Sequence, residues 1–178
     1  SQFKPDLALE EDLEGVKVVR LPVSMHISKG VLMHGLRAAA RRWVAWADVV
    51  NLHLPQFESP SFARECRRQG KPLGVTYHCD LEMSGSLLNR LAGWGTQQRQ
   101  AGVLRQADII VQNSLDYAEQ SPWLKPHLEK VREVPTPIDW GRTTPEEVQA
   151  FKAKYDFQPD ERILGLAGRV AAEKGYEY

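Results

Sequence analysis

Short runs of valine, isoleucine and leucine alternate along most of this chain with segments of helical period. That alternation constrains the fold more than any other feature. Val16 to Val23 (VKVVRLPV), Asp48 to Leu54 (DVVNLHL), Leu73 to His78 (LGVTYH), Asp108 to Gln112 (DIIVQ), Val131 to Val134 and Ile163 to Ala167 (ILGLA) read as strands. Between them, residues 31–47 carry Leu32, Leu36, Ala39, Trp43 and Trp46 at helical spacing. Ser59 to Gln69 reads as a helix with Ser59 at its N-cap, Pro60 in its first turn and Gly70 at its stop. Leu87 to Gln106 and Pro145 to Tyr155 read as further helices, and Asn113 or Ser114 can cap another. Strand, helix, strand in succession predicts an α/β fold: a Rossmann-like parallel sheet with helices on both faces, joined by right-handed crossovers. Ligands of such sheets bind beyond the carboxyl ends of the strands. The positions to inspect are therefore Pro22, His53, His78, Asn113 and the Gly168–Arg169 pair.

Composition narrows the classes of partner. The 178 residues are 42% apolar and 26% charged, a globular balance, and the formal net charge of zero provides no field to draw nucleic acid. Neither a bilayer-spanning apolar run nor a secretory leader is visible, and two cysteines make no disulfide framework, so a reducing cytoplasm is the expected compartment. The chain opens on Ser1 and stops at Tyr178 soon after an apparent strand, which reads as a piece of a longer protein.

Chemistry is most concentrated in LGLAGRVAAEKG, residues 164–175. Gly168 lets the backbone turn and lets a ligand come close. Arg169 can fork onto phosphate oxygens, and Lys174 adds a mobile charge, a pair suited to a diphosphate. Spacing alone equally allows two solvated loop charges. His78 ends a strand and can hydrogen-bond a hydroxyl or phosphate; read without context, a core histidine bonded to backbone is favoured over that role. His53 follows another strand and can line the same cleft or serve the fold. Asp80 can reach an acceptor hydroxyl, although a loop-capping role suits it better. Neighbouring side chains in extended chain diverge, so His78, Cys79 and Asp80 do not converge on a metal, and none is expected. Arg37, Arg41 and Arg42 beside Trp43 and Trp46 could dock on an anionic membrane surface, against the simpler reading of a packed Trp face with solvated arginines.

The 164–175 segment resembles the Gly-Arg-x-x-x-Glu-Lys-Gly signature of family 4 retaining glycosyltransferases of the GT-B fold. ADIIVQNSLDY (107–117), VREVPTPID (131–139), ADVVNLHLP (47–55) and LGVTYHCDL (73–81) are similar to other segments of that family, in the same order. The resemblance implies a two-domain enzyme that moves a sugar from a nucleotide-diphosphate-sugar donor to a carbohydrate, lipid-linked or small-molecule acceptor, with retention, hexosyltransferase activity and no metal or other cofactor. It implies that Arg169 and Lys174 bind the donor diphosphate, that Gly168 lets the donor approach, and that His78 is the active-site histidine near the donor sugar. Residues 1–138 would then be most of the acceptor-side domain, 139–160 a connector and 161–178 the start of the donor-binding domain. Thr136 and Pro137 depart from the usual Asn and Gly of the connector, which leaves hinge geometry open. The family's N-terminal Gly-rich loop and its later Glu-x7-Glu motif lie outside the sequence, so the 178 residues alone are expected to be inactive. The rival readings are a non-catalytic nucleotide- or partner-binding α/β module and, more remotely, a nucleotide-sugar epimerase.

Overall fold

A computed structural model describes residues 1–2, 4–27, 30–81, 87–138, 141–158, 161–165 and 167–168. The chain divides into two compact units, Ser1–Thr136 and Pro137–Tyr178.

The first unit opens with two antiparallel hairpins, where the sequence suggested a single strand. Strand β1 (Glu10–Leu13) pairs with β2 (Val16–Val19), and β3 (Val23–Ile27) pairs with β4 (Gly30–Met33). The first hairpin closes through Glu14 and Gly15, both with positive φ, as a two-residue turn between twisted strands requires. Asp12 Oδ1 accepts a bond from the Gly15 amide at 2.9 Å. A valine-rich run cannot distinguish hairpin from parallel strand, because both bury valine equally well. Pro22 consequently lies between two hairpins and not at the end of a parallel strand.

Helix α1 (Leu36–Trp46) begins five residues later than its periodicity suggested, because Gly30–Met33 is taken by β4. Its fully buried residues are Ala40 and Val44, with Trp43 half-buried. The packing stripe is thus rotated from the predicted one, and Trp46 stays 74% exposed, edge-on to Trp43 at 5.9 Å. Arg37, Arg41 and Arg42 are exposed, and the Arg42 guanidinium lies over the Trp43 ring at 4.7 Å.

Beyond α1 the predicted alternation holds. Strands β5 (Val50–Leu54), β6 (Leu73–Tyr77), β7 (Ile109–Gln112) and β8 (Val131–Glu133) form a four-stranded parallel sheet in sequence order, flanked by helices. The connections are α2 (Ser59–Gln69), α3 (Leu87–Gln106), and then α4 (Leu115–Gln120) followed by a 3-10 helix (Lys125–Lys130). Residue Ser59 is the first helical residue of α2 and not its cap; the cap position is Glu58, which makes no side-chain capping bond. Gly70 ends the helix in the left-handed conformation, as predicted. Helix α4 is capped as expected by Ser114, whose side chain accepts from the Tyr117 amide at 3.2 Å. At the C-terminus of α3, Lys130 Nζ donates to the Arg105 and Ala107 carbonyls, both at 3.0 Å.

One core unites these elements. Leu52, Leu54, Leu73, Val75, Tyr77, Ile110 and Val131 from the strands pack with Val44, Ala63, Cys66, Val103, Leu104 and Ala118 from the helices. The alternate strand residues Asn51, His53 and Ile109 are exposed, and Thr76 is half-buried. Along β5 and β6, period-two alternation therefore places Leu52, Leu54, Val75 and Tyr77 on the core side and Asn51, His53 and Thr76 on the other. Asp108 pins the start of the sheet reciprocally: its Oδ2 accepts from the Leu73 amide and its own amide donates to the Leu73 carbonyl, both at 2.8 Å.

In the second unit, α5 (Pro145–Lys154) carries a full capping box between Thr144 and Glu147. Phe151, Tyr155 and Phe157 cluster around its last turn, with Phe151 and Tyr155 centroids 4.9 Å apart. The strand expected at 163–167 is not formed among the described residues, and Leu164 is 98% exposed. A parallel strand exists only by hydrogen-bonding a neighbour, so apolar sequence alone does not make one.

Leu104 is fully buried, so Leu104→Ala should cost about 3 kcal/mol, whereas Leu164→Ala should cost less than about 0.5 kcal/mol. Urea unfolding midpoints of the two variants test this, and equal losses would contradict the placement of the core.

Candidate active site at the carboxyl edge of the sheet

Pairing of β5 with β6 is in register from Val50↔Leu73 to Leu54↔Tyr77. His53 stands one residue before the end of β5, and His78 follows β6 directly, its amide bonded to the Leu54 carbonyl at 2.9 Å. This stagger brings the two rings together. His53 Nδ1 and His78 Nε2 lie 2.9 Å apart, so one nitrogen donates and the other accepts. The rings are 5.1 Å apart between centroids and nearly parallel, at 19°. Both histidines are exposed and thus open to a ligand at the carboxyl edge of the sheet.

A second polar pair repeats the geometry one step back along the strands. Asn51 Nδ2 donates to Thr76 Oγ1 at 3.1 Å. Gly74, directly opposite Asn51 in register, provides the clearance, since a Cβ there would stand 3.3 Å from Asn51 Oδ1. The Asn51–Thr76 pair was not among the residues singled out from sequence. Its signal is legible in retrospect: Asn-x-His at 51–53 and Thr-x-His at 76–78 are separated by the same offset of 25 residues.

Below the histidines a network fixes the chain after β6. Tyr77 donates its hydroxyl hydrogen to Asp80 Oδ1 at 2.7 Å and accepts from Gln97 Nε2 at 3.1 Å. Ser121 Oγ donates to the same Asp80 oxygen at 2.7 Å, and the Asp80 amide donates to Tyr117 Oη at 2.7 Å. Asp80 therefore ties the β6 loop to α3, α4 and the turn beyond it. Burial pushes the Tyr77 phenol well above its ordinary range, and the Asp80 carboxylate beside it adds to the effect. Burial also raises Tyr117.

Gly168 is exposed, in the second unit, while Arg169 and Lys174 lie outside the described residues. Cys79 is an exposed free thiol, and burial raises the thiol of Cys66. A cavity of about 390 Å³ between α2 and α3 is lined by Arg64, Arg67 and Arg99, but by none of the strand-end residues. Among the described residues no helix is long and apolar enough to cross a membrane.

A parallel α/β sheet with hydrogen-bonding side chains gathered at its carboxyl edge is the architecture of a ligand-binding Rossmann-like domain. Residues 3–137 match the family described as glycosyl transferase 4-like domain, and the chain belongs to that family. No curated protein and no solved structure matches it.

The raised Tyr77 phenol has a consequence for stability. A group whose pKa is higher folded than unfolded stabilises fully below its unfolded value, near 10, and loses that contribution as pH rises past it. Urea midpoints should therefore fall as pH rises from about 9 to about 11, and fall less steeply in Tyr77→Phe, where the raised Tyr117 and Cys66 groups remain. Identical alkaline losses in the two proteins would contradict this account.

Proposed function

We propose that this chain is the acceptor-side domain and the start of the donor-binding domain of a retaining glycosyltransferase that moves a hexose from a nucleotide-diphosphate-sugar to an acceptor hydroxyl. The observation that carries the reading is the paired His53 and His78 at the carboxyl edge of β5 and β6, in a member of a glycosyltransferase family. His78 contacts the donor sugar or its phosphate through a hydrogen bond. Arg169 and Lys174 bind the diphosphate and stabilise the charge that develops on it as it leaves, without a metal. Gly168 lets the donor approach the backbone. The bond from the anomeric carbon to the diphosphate oxygen breaks, and the acceptor oxygen bonds to that carbon on the same face. The acceptor's proton passes to the departing phosphate oxygen.

Nucleotide release from a panel of UDP-, GDP- and ADP-sugars, in the full-length product of the gene with acceptors present, tests this reading. Release from one donor should fall by about 10²-fold or more in Arg169→Ala or Lys174→Ala, with the fold intact. Unchanged turnover in both variants would remove their role. A folded protein that releases nothing from any donor would favour the non-catalytic binding module.

A further inference from the structure

We propose that His53 is the positioning residue for His78: it holds the imidazole in one orientation and leaves His78 Nδ1 as the only ring atom that meets the sugar or phosphate. This inference rests on the role given to His78 above and assigns His53 a task beyond lining the cleft.

The argument starts from the backbone. His78 lies just past the end of β6 with its side chain exposed, where an unpartnered ring would sample several rotamers. Its amide is fixed to the Leu54 carbonyl, and the adjoining Tyr77 and Asp80 are locked in the network below. What remains free is rotation of the His78 side chain. The 2.9 Å contact with His53 Nδ1 removes that freedom by engaging His78 Nε2, and the small angle of 19° between the rings suits a hydrogen bond that runs edge to edge.

His53 is itself well held. It lies within β5, opposite Thr76 in register, and both of its strand neighbours, Leu52 and Leu54, are core residues. A residue on a paired strand is a firmer anchor than one on the loop that follows a strand. The Asn51–Thr76 bond, at the same offset of 25 residues, fixes the stagger of the two strands immediately upstream.

The pairing has a chemical consequence. If His53 Nδ1 carries the hydrogen, His78 must hold its own on Nδ1 and can donate to a ligand oxygen. If His78 Nε2 carries it, His78 Nδ1 is a bare acceptor for a sugar hydroxyl. Either way His78 Nε2 is withdrawn from the ligand. The partner at Nδ1 is a hydroxyl or phosphate oxygen, and it selects between the two arrangements by whether it accepts or donates.

Two substitutions separate positioning from packing. His53→Phe keeps an aromatic ring on β5 and removes both nitrogens. His53→Asn loses the ring but places an amide where Nδ1 stood. Turnover of the full-length enzyme should fall about tenfold in His53→Phe, with the donor KM within about twofold, and should recover largely in His53→Asn. Long-range nitrogen–proton NMR spectra of His78, recorded on the same proteins, should show one dominant tautomer in wild type and in His53→Asn. In His53→Phe they should show the mixed tautomers of a free imidazole. The same tautomer distribution in wild type and His53→Phe would overturn the proposal, as would full turnover in His53→Phe. The spectra do not depend on catalysis, so a wild type that transfers no sugar would overturn the glycosyltransferase reading while the tautomers still decide whether His53 holds His78.

Discussion

In-register parallel pairing of β5 with β6 is the constraint on which the rest of this site depends. With Val50 opposite Leu73 and Leu54 opposite Tyr77, side chains on the two strands alternate in phase. A one-residue slip of β5 would turn Leu52 and Leu54 out of the core and bring Asn51 and His53 in, and a slip of β6 would do the same to Val75, Tyr77 and Thr76, so burial enforces the register strongly. The meeting of His53 with His78 thus follows from hydrophobic packing on the opposite side of the same strands.

Polar anchoring completes what packing begins. Asp108 clamps the amino ends of β6 and β7, and Asp80 clamps the chain as it leaves β6. Both carboxylates accept more than one bond, or bond and donate through their own backbone, which suits groups that sit at strand ends where ladder partners run out. The sequence reading favoured a loop-capping role for Asp80 over an acceptor contact. The Oδ1 atom of Asp80 serves Tyr77 and Ser121, which gives the residue a defined task in holding the loop that carries His78.

How much was legible in the sequence varied with the physics of each segment. The four parallel strands and their helices were readable, because buried strands are short apolar runs and their helices carry clear stops such as Gly70 and caps such as Ser114. The amino-terminal hairpins were not, since Glu14–Gly15 is a weak turn signal and a valine run is silent about the direction of its partner. The run at 163–167 looked like a strand by composition but has no strand partner among the described residues. At the site, His53 and His78 were each visible as strand-end histidines. Their direct contact was not, because it depends on a register that only the folded sheet defines. The residues expected to hold the diphosphate, Arg169 and Lys174, remain part of the proposal through their motif.

The central claim is that His78, held at the carboxyl edge of the sheet, takes part in sugar transfer. Its most direct test is transfer of labelled sugar to acceptor by the full-length protein, wild type beside His78→Ala, at saturating donor. The account predicts a loss of about 10²-fold or more in kcat with an unchanged thermal melt. Transfer at the wild-type rate by a folded His78→Ala variant would contradict it and leave the histidine pair as a structural feature of the sheet edge.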